Sequence, residues 1–224
     1  MCTKPRTIIC KGVRLMSKEH ISLIELGETI ADNKFILGDR LVEIGISGPT
    51  LEGTLSSIAM AQQELGHSRL LYRWVSDLSG IKTEVKHQTG KAFKQNVEIG
   101  NWIELIAGIY VTNVAVDLVM NAMIEANNPN VNPPFTKMLK EQQEHLIYSQ
   151  SWCDQLLLDK GSIPRRTKEA ISKTAQEAKE WLIKVENDMY FVTENIIPKD
   201  ARLVENFDAT LGEVLKDVEK QHVG

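Results

Sequence analysis

The chain has 224 residues, 42% of them hydrophobic and 25% charged, which is the composition of an ordinary globular protein and excludes disordered, collagen-like and disulfide-scaffold classes. Its 26 lysines and arginines against 30 aspartates and glutamates leave a net charge of -4, so no basic field exists to hold a phosphate backbone and no nucleic-acid partner is expected. Cys2, Cys10 and Cys153 are odd in number and lack the spacing of a zinc site or a disulfide framework, which suits a reducing, cytoplasmic compartment.

Residues 1–16 carry Lys4, Arg6, Lys11 and Arg14 with apolar pieces too short for a signal-peptide core, and they read as a flexible N-terminal arm. A first helix is predicted from Ser17, a candidate cap, to Gly45, and the Gly45–Pro49 turn separates it from a second over Thr50–Leu78. A polar loop with Gly80, Gly90 and Lys82, Lys86, Lys91 and Lys94 follows. Solvation explains its lysines, the alternative being contact with the phosphates of a ligand such as a CoA ester or with an acidic partner. The third helix, Val97–Ala126, contains the most apolar stretch, Ile103–Met123. Because Glu104, Asn113, Asp117 and Asn121 interrupt it, it reads as a buried helix with no membrane role. After Pro133-Pro134 a fourth helix runs to about Asp159, closed by Gly161. A fifth extends from Ser162 to Pro198, and a last from Asp200 to Gln221 is open to a break near Asn206.

The periodicity is helical throughout, and strands are not expected. Four helices of this length predict an all-α protein with a four-helix bundle over residues 17–160 and C-terminal helices, 161–224, packed on it. Apolar residues on more than one face of the third helix predict a dimer, homo- or heteromeric, that buries the extra face.

The chemistry rests on four helices. Glu64 and His67 form Glu-x-x-His, whose spacing puts both side chains on one helix face, and their stripe (Gly53, Ser57, Met60, Ala61, Leu71, Val75) is apolar while Gln62, Arg69 and Arg73 lie opposite. Glu104 shares a stripe with Ala107, Gly108 and Val111 and reads as a core carboxylate, with Asn113, Asp117 and Asn121 directed elsewhere. His145 aligns with Met138, Glu141, Tyr148, Ser149 and Trp152. The corresponding stripe of the first helix, Ile24, Glu28, Ala31, Phe35, Gly38, Asp39 and Val42, offers Asp39 and Glu28. Buried carboxylates need a cation, and carboxylates with imidazoles from facing helices are how a bundle holds a pair of iron or manganese ions. Glutamine stands at position 142, three before His145, so the second Glu-x-x-His is incomplete, and the sequence leaves open whether Glu141 or Gln142 faces the core. Tyr148 and Trp152 read as packing, Cys153 as a small hydrophobe, Arg165 and Arg166 as exposed, and His20, His87 and His222 as without ligand company.

Several blocks resemble a known family. They are Ala31-Asp32-Asn33-Lys34-Phe35-Ile36-Leu37-Gly38-Asp39-Arg40-Leu41, Gly48-Pro49-Thr50-Leu51-Glu52, Glu64-Leu65-Gly66-His67-Ser68-Arg69-Leu70-Leu71-Tyr72, Trp102-Ile103-Glu104 and Lys140-Glu141-Gln142-Gln143-Glu144-His145-Leu146. In order and spacing they resemble, over residues 20–160, the ferritin-like subunits of the phenylacetyl-CoA ring-epoxidising monooxygenase of phenylacetate catabolism. The resemblance implies a ferritin-like bundle and either of two roles: a catalytic subunit with a di-iron centre, or the structural subunit that pairs with it. Leu37–Leu41, Arg69–Tyr72 and the form around His145 are similar to the structural subunit. Glu64, His67 and Glu104 match ligand positions of the catalytic one, while Phe35 and Gln142 fall at ligand positions and cannot ligate. The chain is therefore expected to be a structural subunit of an oxygenase assembly, cytoplasmic, paired with itself or with a related subunit. The alternative is a metal-dependent oxidoreductase with a mono- or dinuclear iron or manganese site drawn from Glu64, His67, Glu104, His145, Glu141 and Asp39.

Overall fold

The structure, a computed structural model, describes residues 19–80, 88–129 and 135–221. The N-terminal arm, the Ser17 cap, Lys82, Lys86, His87, Pro133-Pro134 and His222 lie outside them. The described residues form helices and no strands, in the order α1 (Glu19–Glu43), a 3-10 turn (Gly45–Ser47), α2 (Leu51–Ser79), α3 (Lys94–Val97), α4 (Trp102–Glu125), α5 (Phe135–Leu157), α6 (Ile163–Glu186), α7 (Met189–Thr193) and α8 (Leu203–Gln221).

Local chemistry explains the boundaries. Thr50 caps α2, its Oγ1 accepting the Gly53 N–H at 3.0 Å, and Gly80 ends the helix at φ 67°, a left-handed conformation that suits glycine. The third predicted helix begins later than its apolar pattern suggests, because Asn101 caps α4 at the Glu104 N–H (3.2 Å) while Glu104 reaches back to the Gly100 N–H (2.9 Å). The fifth predicted helix is broken. Asn187 donates to the Ile183 carbonyl at 2.8 Å to finish α6, and Asp188 accepts the Tyr190 N–H at 2.9 Å to start α7, so adjacent side chains compete with continued helix. The last helix is unbroken near Asn206, where Thr210 donates back to the Asn206 carbonyl at 2.9 Å within one continuous helix.

α1 and α2 form a hairpin with close backbones. A Cβ on Gly38 would lie 2.7 Å from Leu65 Cγ, and one on Gly27 would lie 2.6 Å from Val75 Cγ2. The buried face of α1 is Leu23, Leu26, Ile30, Lys34, Leu37 and Leu41, rotated by about one residue from the stripe expected from sequence; Phe35 is half-buried and Asp39 and Val42 are exposed. α4 is the central helix. It contacts α1, α5, α6 and α8, and every residue from Leu105 to Val116 is buried. Its composition and length would suit a membrane span, yet 83% of its most apolar window is buried within this chain. The second apolar face, read from sequence as a dimer surface, is covered by α6 and α8. The larger of two apolar clusters thus runs through the bundle and the C-terminal helices, and the smaller, around Leu37, Leu41, Met60 and Ile109, fills one end of the bundle.

Candidate functional site

Four long helices bring polar groups to one buried level. Glu64 of α2, Lys34 of α1, Asn113 of α4 and Gln142 of α5 are all fully buried, and His145 of α5 is 1% exposed. The Lys34 Nζ lies 3.0 Å and 3.2 Å from the two Glu64 carboxylate oxygens and donates to Asn113 Oδ1 at 2.7 Å. Asn113 Nδ2 donates in turn to Glu64 Oε1 at 3.1 Å, and His145 Nδ1 donates to the same oxygen at 2.8 Å. The other ring nitrogen of His145 meets Gln63 Oε1 at 2.7 Å. A carboxylate taken out of water is thereby matched by an ammonium and two further donors, the condition under which a buried ion pair is tolerated. Burial pushes the Glu64 carboxyl up, but Lys34 and His145 outweigh it and hold the group well below the usual carboxylate range. Burial lowers the Lys34 ammonium, opposed by Glu64.

His67 lies toward the rim. Its Nε2 donates to Glu141 Oε2 at 2.7 Å, and Lys137 stands 3.6 Å from the other Glu141 oxygen. Burial and the nearby Lys34 charge lower the imidazole, against Glu64 and Glu141. A neutral ring donating through Nε2 leaves Nδ1 as an acceptor, and among the described residues that atom has no hydrogen-bond donor. The rings of His67 and His145 are 6.0 Å apart.

Gln142, and not Glu141, faces the core: Glu141 is 30% exposed, while the Gln142 amide donates to the Asn113 carbonyl at 3.1 Å and ties α5 to α4. Below it, burial raises the Asp117 carboxyl against the amide donors Gln142 and Gln143. Glu104 is not a core carboxylate. It is half-buried at the start of α4, nine residues or about 13 Å of helix rise from Asn113, where its role is capping. Asp39 is exposed beside Arg40 at 3.6 Å, and Glu28 pairs with Lys91, so neither joins the cluster. Asn113, by contrast, belongs to it. A one-face reading fails for α4 because every face of that helix is covered from Leu105 to Val116.

Among the described residues no three His, Cys, Asp or Glu side chains are grouped as a metal requires. A carboxylate-bridged pair of iron or manganese ions does not fit the described residues: of the two fully buried carboxylates Asp32 is taken up by Thr89, Lys91 and Tyr72, Glu64 is met by the Lys34 ammonium, and the core-facing residue three before His145 is the neutral Gln142. The inward stripes read from the sequence do not contain Lys34 or Gln63, although Lys34 sits among Leu23, Ile30, Leu37 and Leu41 at helical spacing. A lone lysine on an apolar stripe is the signal of a buried cation seeking a carboxylate.

The other marked residues are structural. Asp32 accepts the Thr89 N–H at 3.0 Å, the Thr89 hydroxyl at 2.9 Å, the Lys91 N–H at 2.7 Å and the Tyr72 hydroxyl, and Asn33 accepts the Phe93 N–H at 2.9 Å. The Asp32-Asn33 text thus pins the segment before α3 onto α1; of the lysine loop, Lys91 serves in these contacts and pairs with Glu28, while Lys94 pairs with Glu98. Trp102 and Trp152 pack edge to face at 5.1 Å, Tyr148 donates to the Gly53 carbonyl at 3.1 Å, and the buried Cys153 thiol is pushed up by burial. Arg165 pairs with Glu169 at 2.6 Å.

Fold and site together define an all-α, ferritin-like helical bundle with charged and imidazole side chains buried between its long helices. The family model "Phenylacetic acid catabolic protein" matches residues 14–221, and the chain belongs to that family. None of the curated proteins matches it.

Proposed function

We propose that this chain is the structural, non-catalytic member of a phenylacetate-type oxygenase assembly, cytoplasmic, with its long helices held against a related catalytic subunit. The observation that carries the reading is Lys34. Its ammonium satisfies the fully buried Glu64 carboxylate, so the charge that would hold a metal is already compensated by the protein itself. Family membership supports the connection to phenylacetate catabolism. Any aromatic acyl-CoA substrate then belongs to the catalytic partner.

The test is metal content per chain after expression with iron and manganese supplied, beside a Glu64→Ala, His67→Ala control. We expect no stoichiometric metal in either protein, and oxygen uptake with aromatic acyl-CoA esters only when a catalytic subunit is present and co-purifies. Stoichiometric iron or manganese in the wild type, lost in the control, would overturn this reading in favour of a metal-dependent oxidoreductase using Glu64, His67, His145 and Glu141.

A further inference from the structure

At the centre of the bundle a primary amine, a primary amide and a carboxylate are in mutual contact, each from a different helix and each fully buried. Glu64 Oε1 lies 3.2 Å from the Lys34 Nζ and 3.1 Å from the Asn113 Nδ2, and its Oε2 lies 3.0 Å from the same Nζ. The Lys34 Nζ donates to Asn113 Oδ1 at 2.7 Å. A carbonyl bond is about 1.2 Å long, so this nitrogen is no more than about 3.9 Å from the Asn113 side-chain carbon, near the separation of about 3–3.5 Å from which bonds form. His145 Nδ1 holds Glu64 Oε1 at 2.8 Å, and the Gln142 amide at 3.1 Å from the Asn113 backbone carbonyl holds α5 against α4, so the three groups are fixed in place.

An amide carbon is attacked by a neutral amine, and burial lowers the Lys34 ammonium toward that form. Glu64 touches both the atom that must lose a proton, Nζ, and the atom that must gain one, Nδ2. The steps balance without oxidant or reductant. A proton passes from the Lys34 ammonium to Glu64, and the amine lone pair then attacks the Asn113 side-chain carbon, opening its carbonyl to a tetrahedral centre. As the carbonyl re-forms, the bond from carbon to Nδ2 breaks, Nδ2 takes the proton from Glu64 and leaves as ammonia, and Nζ passes its surplus proton to Glu64. The interior exchanges an ion pair for a neutral amide and a neutral acid, which removes the cost of keeping two charges out of water. Escape of ammonia to solvent draws the reaction forward.

We infer that Lys34 and Asn113 join in an amide bond that covalently ties α1 to α4, with Glu64 carrying the protons. The inference rests on the reading of this site as free of metal: the Lys34–Glu64 ion pair is the state from which the folded chain starts, and the linked chain accumulates from it with time. Its effect is mechanical. The two residues are 79 apart in sequence, so the bond closes a long loop and restricts the unfolded chain as a disulfide does.

Mass spectrometry of the full chain, folded and incubated at neutral pH with samples taken over days, tests it. The intact protein is expected to lose the mass of one ammonia molecule, and tryptic digestion to yield residues 19–40 joined to residues 95–137, uncut after Lys34. The same protein kept in urea forms no joined peptide, because only the fold assembles the three groups. Glu64→Gln, which cannot carry the proton, slows the linkage by roughly a hundred-fold, and Asn113→Ala abolishes it. The linked chain unfolds at a higher temperature than the unlinked one. Three results would each overturn the inference: folded wild type whose two peptides stay separate, loss of ammonia without the joined peptide, as ring closure at an asparagine gives, and linkage that proceeds equally in urea or in Glu64→Gln. Metal content separates this failure from that of the reading beneath it. Stoichiometric iron or manganese would remove both, whereas separate peptides in protein without metal would remove the inference alone.

Discussion

Lys34 decides the character of the site, because a buried carboxylate is acceptable only while its counter-ion is present. Lys34→Met is expected to cost about 3–5 kcal/mol of stability, read by urea unfolding, since it leaves Glu64 charged or forces it to take up a proton. The pH dependence changes with it. In the wild type, Lys34 and His145 hold Glu64 below its unfolded value, so its contribution is present above about pH 4.3 and is lost as pH falls through the lower folded value. In Lys34→Met, burial dominates and the folded value rises above the unfolded one. Stability then falls as pH rises above about 4.3, the reverse slope. A variant that loses less than about 1 kcal/mol, or keeps the wild-type slope, would mean that Lys34 and Glu64 are not coupled in this way. Of the acids and imidazoles marked in the sequence, Glu64, His67 and His145 lie where their stripes direct them. Glu104 and Asp39 do not, the first because a capping position holds it at the helix end, the second because the buried face of α1 is rotated from the stripe that contains it.

At the scale of elements, the α1–α2 pair depends on glycines as contact surfaces. In an isolated helix Gly38→Ala would be stabilising by up to about 1 kcal/mol, because alanine loses less backbone entropy than glycine. In this protein the added Cβ would lie 2.7 Å from Leu65 Cγ, so the helices must separate, and the substitution is expected to destabilise by about 1–3 kcal/mol in denaturant unfolding. A stabilising effect would show that the contact relaxes freely. The long helices and their order were readable from sequence because turn residues and periodicity are local, whereas the short α3 and α7 were not. Several boundaries were not. Asn101 with Glu104, and Asn187 with Asp188, choose between capping and continued helix by hydrogen bonds that a one-dimensional pattern does not rank.

For the whole molecule, the helix that organises everything is α4, wrapped by the bundle on one side and by α6 and α8 on the other. Its apolar faces need the C-terminal helices, so a chain ending at residue 160 is expected to lose cooperative unfolding and to bind a hydrophobic dye, as states with unpacked cores do. Two-state unfolding of that fragment would instead show that residues 19–160 form a self-sufficient bundle.

The sequence by itself determined the all-α class, the four long helices, the inward side of α2 and α5, and the kinship to phenylacetate catabolism, because each follows from local periodicity, turn chemistry or the order of short blocks. Only the tertiary structure decided that the second face of α4 belongs to this chain, that Gln142 and not Glu141 faces inward, and that a lysine on α1 meets the glutamate on α2. Those outcomes depend on the relative rotation of helices far apart in sequence, which is set by side-chain packing between them and has no signature within any single helix.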